Sequence, residues 1–422
     1  MPKQKKKSLR LLHTADWHLG KRLNQFNRID EQRTVLAEIC DIAEAENVDA
    51  VLIAGDIFDS ANPSHEAEDL LYQTLARLSD GGNRAVIAIA GNHDAPGKIE
   101  NPDPLARASG IIFAGYPDSE VRHFSLEKSG LALTASAPGF IELQLPGSDV
   151  PLRILLTPYA NAIRFKQALR GESADLSINE LLKNSWANTA EKYCDSNGVN
   201  LLLAHLFMMR EGGEKPEEPD DEKSVLHIGG ADVVFAENVP PQIQYVALGH
   251  LHRRQTIATS PCPVVYSSSP LAYSMSEANQ QKYVVLIDAE PGKPVAIRDI
   301  PLTGGRKLLR QSFETVDAAV EWLTRHSDAI VEITMITDTF LTTEQLQQLR
   351  QSHDFILGIV PRVKNAAQSG ASDEPADPMQ DVETLFVQFF KSQNDDLDPN
   401  DELLSLFREV IGRESATQED GE

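Results

Sequence analysis

Short apolar runs and amphipathic stretches take turns along the first part of this chain. Leu9–Thr14 is an apolar run of strand length, and Asp30–Glu46 follows with Val35, Leu36, Ile39, Ile42 and Ala43 at helical spacing on one face. Val48–Ala54 is almost unbroken apolar sequence, as expected of a strand buried on both sides. Ser64 can cap a helix that runs to about Ser79, with Glu66 and Glu68 favouring its positive end. Arg84–Ala90 reads as another buried strand. This strand–helix order predicts a sheet with helices outside it.

Beyond position 111 the segments shorten. Val121–Leu126, Leu131–Ala135, Phe140–Leu145 and Leu152–Thr157 read as antiparallel or mixed strands, and helices are expected near 161–170 and 177–193. Leu201–Ala204 and Tyr245–Leu248 are again apolar and strand-like. The pattern as a whole is α/β, with two sheets face to face and helices on their outer sides. The unit 304–364 repeats the alternation on a smaller scale: strand Leu308–Phe313, helix Val316–His326, strand Ala329–Ile336, helix Thr342–Ser352 and strand Phe355–Val363.

A stretch rich in Ala, Ser, Gly, Pro and Asp, 365–381, reads as a flexible linker. After it, Val382, Leu385, Phe386, Phe389 and Phe390 share one helical face, and Leu403, Leu406, Phe407, Val410 and Ile411 share another. Isolated helices of about ten residues are marginal in water, so these faces must bury against something. The expected boundaries are thus 1–303 for the main body, 304–364 for the small unit, 382–414 for the paired helices and 415–422 for an acidic tail.

Net charge, −24 over 422 residues, counts against a nucleic-acid partner. Its distribution softens that argument. Residues 371–422 carry −12 and residues 211–223 carry −5, which leaves −7 for everything else and room for a basic surface near a site. Lys3, Lys5, Lys6, Lys7 and Arg10 could touch a phosphate backbone or form a basic tail without a specific role. No apolar run of transmembrane length occurs, and the basic start is not followed by an export segment, so a cytoplasmic protein without membrane attachment is expected. Cys40, Cys194 and Cys262 are too scattered for a disulfide framework or a zinc ribbon.

The chemistry is concentrated where apolar runs end: Asp16-Trp17-His18, Gly55-Asp56, Gly91-Asn92-His93-Asp94, Ala204-His205 and Gly249-His250-Leu251-His252. In open α/β sheets that strand edge is where ligands bind. Asp16 and His18, and likewise His250 and His252, are two apart, which in extended backbone points both side chains the same way. Asp56 is placed to bridge two cations about 3.5–4 Å apart, with Gly55 permitting close approach of the backbone. Oxygen and imidazole ligands without a thiolate suit manganese, iron or zinc, with manganese favoured. His65, His123, His227, His326 and His353 fall outside these motifs and read as ordinary histidines.

In this order the motifs resemble the signature of the calcineurin-like metallophosphoesterases, over about residues 11–275. Their flanks, His13-Thr-Ala-Asp-Trp-His-Leu-Gly, Gly55-Asp-Ile-Phe-Asp, Tyr245-Val-Ala-Leu-Gly-His-Leu-His and Ser269-Pro-Leu-Ala-Tyr-Ser, are similar to the SbcD family, the nuclease subunits of bacterial SbcC–SbcD repair complexes. Trp17, Phe58 and the Ser-Pro segment are not needed for metal binding and add specificity to the likeness.

The resemblance implies a four-layer α-β-β-α sandwich with a small α/β capping domain facing DNA and C-terminal docking helices. It implies two divalent metals, most often Mn²⁺: one held by Asp16, His18, Asp56 and His252, the other by Asp56, Asn92, His205 and His250. His93 would stabilise the pentavalent phosphorane and protonate the leaving oxygen, with Asp94 holding its ring. It further implies 3′–5′ exonuclease action on DNA ends, endonuclease action on single strands and hairpins, ATP gating by an SbcC-type ATPase bound at 382–414, and a nuclease homodimer within a heterotetramer. Two departures stand out: Ser268 where a glycine is usual, and the acidic stretch 211–223 between two ligand motifs. From the residues themselves, a phosphoesterase for small cyclic or monoester substrates and a metal-stabilised scaffold remain open.

Overall fold

Five of the six side chains of Leu9–Thr14 are buried, so the strand needs cover on both faces and a partner on both edges. The computed structural model describes residues 6–159, 165, 168, 176–213, 233–337, 341–363, 387, 390, 391, 399 and 404. It sets Leu9–Thr14 between Ala50–Ile53, in parallel, and Tyr283–Ala289, antiparallel. Ala85–Ile89 and Ile111–Ala114 extend the parallel side. Ala296–Pro301 closes the other edge and completes a six-stranded sheet.

An eight-stranded sheet faces it. Its centre is parallel, in the order Val264–Tyr266, Tyr245–Gly249, Val199–His205 and Pro151–Thr157, and antiparallel strands flank it on both sides. Alternation along the strands builds the layers. Leu9, Leu11, Leu52 and Ile87 of the first sheet meet Ile154, Leu201, Leu203 and Ala247 of the second in a shared core. The intervening residues Leu12, Val51, Ile53 and Val86 point outward, onto the helices Ile29–Ala45 and His65–Ser79. On the far side Leu155, Leu202 and Val246 pack under Leu182 and Trp186 of the helix Ile178–Tyr193. The order is α-β-β-α.

Local signals hold where they rest on capping chemistry. Ser64 Oγ accepts from Ala67 N at 3.3 Å, and Ser177 with Glu180 forms a reciprocal capping box. Where the signal is only a short apolar run, the structure departs from expectation. Val121–Leu126 contributes just Ser125–Leu126 as strand, and the first sheet takes Ile111–Ala114 instead. Tyr283–Ala289 and Ala296–Pro301, which return the chain to the first sheet, are strands beyond those expected above.

The small unit has three strands in the order Leu308–Phe313, Ile330–Thr337 and Ile356–Val363. One face, with Val331, Ile333 and Met335, packs on Ala319, Leu323 and Leu349 from its two helices. The other, through Leu308 and Ile330, meets Leu23 and Ala272 of the main body.

By its internal contacts the chain divides into the units 1–362 and 363–422. In the second, Val387, Phe390, Lys391 and Leu404 are helical. The linker 365–381, the rest of the paired helices 382–414, the tail 415–422, residues 214–232 and His227 lie outside the described residues. So does the stretch near 161–170 except Phe165 and Ala168, both helical. Among the described residues no helix is long and apolar enough to cross a membrane. Cys40, Cys194 and Cys262 are buried free thiols. Lys6, exposed, pairs with Asp49 at 2.6 Å, and Arg10, partly exposed, pairs with Asp288 at 2.7 Å.

Candidate metal centre

Past Thr14 the chain enters a loop that runs beside the loop after Ile53. Main-chain bonds tie them together: Ala54 N to Thr14 O at 2.9 Å, Asp16 N to Gly55 O at 3.0 Å and His18 N to Asp56 O at 2.9 Å. Asp16, His18, Asp56 and His250 have φ of 55°, 43°, 48° and 105°. This corrects the extended-backbone expectation for the two-apart pairs. Asp16 with His18, and His250 with His252, converge because left-handed residues turn the chain, not because side chains alternate. Such backbone costs about 1–3 kcal/mol per residue and persists only where the surroundings over-determine it.

The surroundings here are dense. Gln32 Nε2 donates to His18 O at 2.8 Å, Trp17 Nε1 donates to Thr14 Oγ1 at 3.0 Å, and Tyr273 Oη donates to Trp17 O. Two glycines are required by space. A Cβ at Gly55 would overlap the His205 ring, and one at Gly91 would overlap the Asp56 carboxylate and main chain. Gly55 therefore admits the approaching imidazole from the other sheet.

The seven expected ligands come together, with His93 beside them. His205 Nδ1 sits 2.8 Å from Ala54 O. A carbonyl only accepts, so Nδ1 carries a hydrogen and Nε2 is the nitrogen left to take a metal. Nε2 faces Asn92 Oδ1 at 2.8 Å and Asp56 Oδ2 at 3.3 Å. His250 Nδ1 lies 3.0 Å from the same Asn92 oxygen, and His250 N donates to Asp16 Oδ1 at 2.8 Å. On the opposite side His252 Nδ1 is held by Glu277 Oε1 at 3.2 Å, and its Nε2 faces His18 Nε2 at 3.0 Å.

Asp16 Oδ2 is buried with no hydrogen-bond partner among the described residues. Metal-binding atoms this close, in a largely buried site, call for cations between them. The donor set of oxygens and imidazoles fits two divalent metals. Ligand atoms of Asp16, His18 and His252 lie within 4.8 Å of one another, as do those of Asp16, Asp56 and His205.

Electrostatics carry the same demand. Burial, aided by Asp56, pushes the Asp16 carboxyl up to about 7, against the pull of His205 and His252. Burial would raise Asp56 as well, but His205, His18 and His93 hold it below the usual carboxylate range. His205 would be lowered by burial, yet Asp56 and Asp16 raise it to about 9, so a proton on this ring takes part of a cation's place.

The roles around His93 differ from those the resemblance implies. Asp94 does not take up the ring: Oδ2 accepts from Gly91 N at 2.8 Å and Ile57 N at 3.0 Å, and Oδ1 from Phe58 N at 2.9 Å. Its carboxyl is raised to about 6 by burial and by Asp56. It locks the 91–94 loop to the loop after Asp56. The His93 Nδ1–H donates to Asp59 O at 2.9 Å, and His93 N donates to Asp56 Oδ1 at 2.9 Å.

Sequence reasoning missed Asp59, Glu277 and Lys282. Asp59 ends the Gly55-Asp-Ile-Phe-Asp segment, and its carboxylate also lies near Lys21 Nζ at 3.3 Å. Ser274-x-x-Glu277 is a capping-box pattern that could have drawn attention to Glu277. His13, in the flank of the first motif, joins the sheets: Nε2–H donates to Leu248 O at 3.1 Å and Nδ1 accepts from Tyr245 Oη at 3.0 Å. Ser268 is buried with φ 88°, the backbone a glycine would take, and Tyr283 N donates to its Oγ at 3.0 Å. His123 and His353 bond to main-chain carbonyls far from this centre. In the acidic stretch, Glu211–Gly213 is described and exposed.

Comparisons with known proteins agree in kind. The family profile described as calcineurin-like phosphoesterase matches residues 9–254. The SbcD subunit of nuclease SbcCD from Bacillus subtilis (strain 168) is 33% identical over 95% of this chain and 97% of its own. The Rhodobacter capsulatus protein of that name is 33% identical over 72% of this chain and 71% of its own. The one from Escherichia coli (strain K12) is 26% identical over 96% of this chain and 98% of its own. A dimetal phosphatase structure from Danio rerio aligns at a TM-score of 0.35 and 13% identity, over 70% of this chain and 99% of that one.

Proposed function

Because this chain belongs to the SbcD family of nuclease subunits, within the calcineurin-like phosphoesterases, we propose that this metal-dependent DNA phosphodiesterase uses manganese. It acts as a 3′–5′ exonuclease on duplex ends and as an endonuclease on single strands and hairpins. One observation carries the reading: His205 Nε2, from one sheet, lies within 3.3 Å of both Asn92 Oδ1 and Asp56 Oδ2, from the other, in a largely buried site. In this assignment Asp16, His18, Asp56 and His252 hold one metal. Asp56, Asn92, His205 and His250 hold the other.

Two bound divalent cations would supply Lewis acidity toward the phosphoryl oxygens and make water acidic enough to attack near neutral pH. The side chains supply the rest. Asp56 is shared between the two positions and fixes the His93 main chain. His93, its Nδ1–H anchored on Asp59 O, delivers a proton from Nε2 to the leaving oxygen. Asp94 keeps the His93 loop in register by its three main-chain bonds.

The unit 304–364 serves as a cap over DNA. The segment 382–414 docks on an SbcC-type ATPase that gates access through ATP, in a cytoplasmic assembly of two nuclease and two ATPase subunits. Full-length similarity to SbcD proteins supports this, since it extends past the phosphoesterase match through the cap and C-terminal segment. Truncation after Gly370 should spare cleavage of single strands and abolish ATPase association; unchanged co-purification with the ATPase would rule out the docking role. Acidity, at −24, favours a second reading, a phosphoesterase for small cyclic or monoester substrates. A Mn²⁺ assay on linear and hairpin DNA, with and without the ATPase, separates the two. Turnover of a chromogenic diester with both DNAs left intact would establish the second reading and overturn the first.

A further inference from the structure

Behind His252, away from the other ligands, lies an ion pair that metal binding itself does not require. Glu277 and Lys282 are 2% and 6% exposed, and Glu277 Oε2 is in direct contact with Lys282 Nζ. A buried ion pair is weak evidence of a stabilising role, because apolar residues of the same volume often serve stability equally well. Its partners suggest another purpose. Glu277 Oε1 accepts from His252 Nδ1 at 3.2 Å, from Tyr273 N at 3.0 Å and from Ser274 N at 3.2 Å. Lys282 Nζ donates to His252 O at 2.8 Å and to Ser269 Oγ at 3.0 Å. The pair thus grips one residue twice, at the ring and at the main chain.

Glu277 is not placed to be a ligand. Oε1 already receives three donors, and Oε2 receives Lys282 and Ser269 Oγ at 3.4 Å. Its position is set by the Met275–Glu277 turn, which it closes by accepting from the main-chain N–H groups of Tyr273 and Ser274 just before it. By accepting from Nδ1 it leaves the His252 lone pair on Nε2, facing His18. The opposite metal position is built differently at its buried imidazole. There the corresponding ring, His205, is anchored on the Ala54 carbonyl, which side-chain chemistry does not alter.

We propose that Glu277 and Lys282 are positioning residues that set the affinity of one metal position only, the one built on Asp16, His18 and His252. The position built on Asn92, His205 and His250 does not depend on them, and its His205 ring is oriented by a backbone carbonyl. This rests on the ligand assignment proposed above.

The test is titration of the metal-free full-length protein with Mn²⁺ alone, followed by calorimetry and by metal analysis after dialysis. Wild type should take two equivalents. Glu277→Gln should weaken one of them about 10–100-fold and leave the other within about twofold. Since a single variant of a buried pair can unfold the protein, Glu277→Leu with Lys282→Met supplies a folded counterpart without buried charge. That double variant leaves the N–H groups of Tyr273 and Ser274 without their acceptor, so it should melt below wild type but remain folded, and show the same one-sided loss. Restoration of both affinities in it would mean that the pair only supports the fold, and would overturn the proposal. So would equal weakening of both equivalents, or of neither, in Glu277→Gln. If wild type itself fails to take two equivalents, the ligand assignment falls, and the role of the pair falls with it.

Discussion

The two sheets contribute different chemistry to one centre. The six-stranded sheet delivers Asp16, His18, Asp56 and Asn92, which include both carboxylates, all from loops beyond its parallel strands. The eight-stranded sheet delivers only imidazoles: His205 as the last residue of its strand, and His250 and His252 just past Gly249. The first bends its backbone at three of these positions, Asp16, His18 and Asp56, and the second at one, His250. Neither sheet holds a complete set. Cations bound between them would join charge on one side to lone pairs on the other, and so fasten the sandwich at its open edge.

The strongest way to break this arrangement is at the shared carboxylate. Asp56→Asn keeps a residue that tolerates left-handed backbone and removes the bridging charge. Each cation is worth several kcal/mol in the transition state, so DNA cleavage should fall by about 10⁴-fold, roughly 5.5 kcal/mol. Metal analysis should find both positions emptied. A full complement of Mn²⁺ in that variant would refute the bridging role.

Next in size is the fastening itself. At a hundredfold excess over Kd, one bound cation stabilises the native state by about 2.7 kcal/mol. Melting of wild type should therefore drop by several degrees on chelation, and Asp56→Asn should melt at one temperature with or without Mn²⁺. Identical chelator sensitivity in both proteins would break the idea that metal joins the sheets through this residue.

A smaller effect isolates the fastening that uses no metal. Burial, with Arg254 adding, lowers His13 to about 3, although its bond to Leu248 opposes this. The folded ring therefore stays neutral while the unfolded ring takes up a proton near its ordinary value. Acidification favours the unfolded state: stability is lost as pH falls below about 6.5 and continues to be lost toward about 3. Between pH 6.5 and 5 the loss should be about 2 kcal/mol. Urea midpoints of His13→Gln, compared with wild type across that range, should show a flatter slope. Equal slopes would remove His13 from the account.

The mildest change is Ser268→Gly. Relief of left-handed backbone, about 1 kcal/mol, is offset by loss of the bond from Tyr283, also about 1 kcal/mol. Stability should stay within about 1 kcal/mol of wild type, as read by the urea midpoint.

The same contrast explains what could be read from the chain. The convergence of the candidate ligands was legible because each follows a buried strand and carries chemistry that apolar cores do not use. The layer order was legible from runs such as Val48–Ala54. The direction of the ligands was not: the two-residue spacing of Asp16 and His18 suggests alternation, and only the loop pairing with Gly55 and Asp56 reveals the turn. Asp94 sits next to His93 in sequence, but its oxygens are consumed by Gly91, Ile57 and Phe58, and Asp59 takes the ring through a carbonyl that has no sequence signature. Glu277 and Lys282 escaped because they act one residue removed from the metals. Tyr283–Ala289 escaped although its Val284–Ile287 run is as apolar as the strands nearer the start of the chain.

That last strand has a consequence for how the protein is made. Leu9 pairs with Ala289, so one edge of the first strand waits for a partner nearly three hundred residues downstream. At about 5–20 residues per second of synthesis, the wait lasts on the order of tens of seconds. His205, His250 and His252 also arrive late. A nascent chain therefore carries its acids long before it carries every imidazole of the proposed centre, and a ribosome that stalls before residue 250 releases a fragment without His250 and His252.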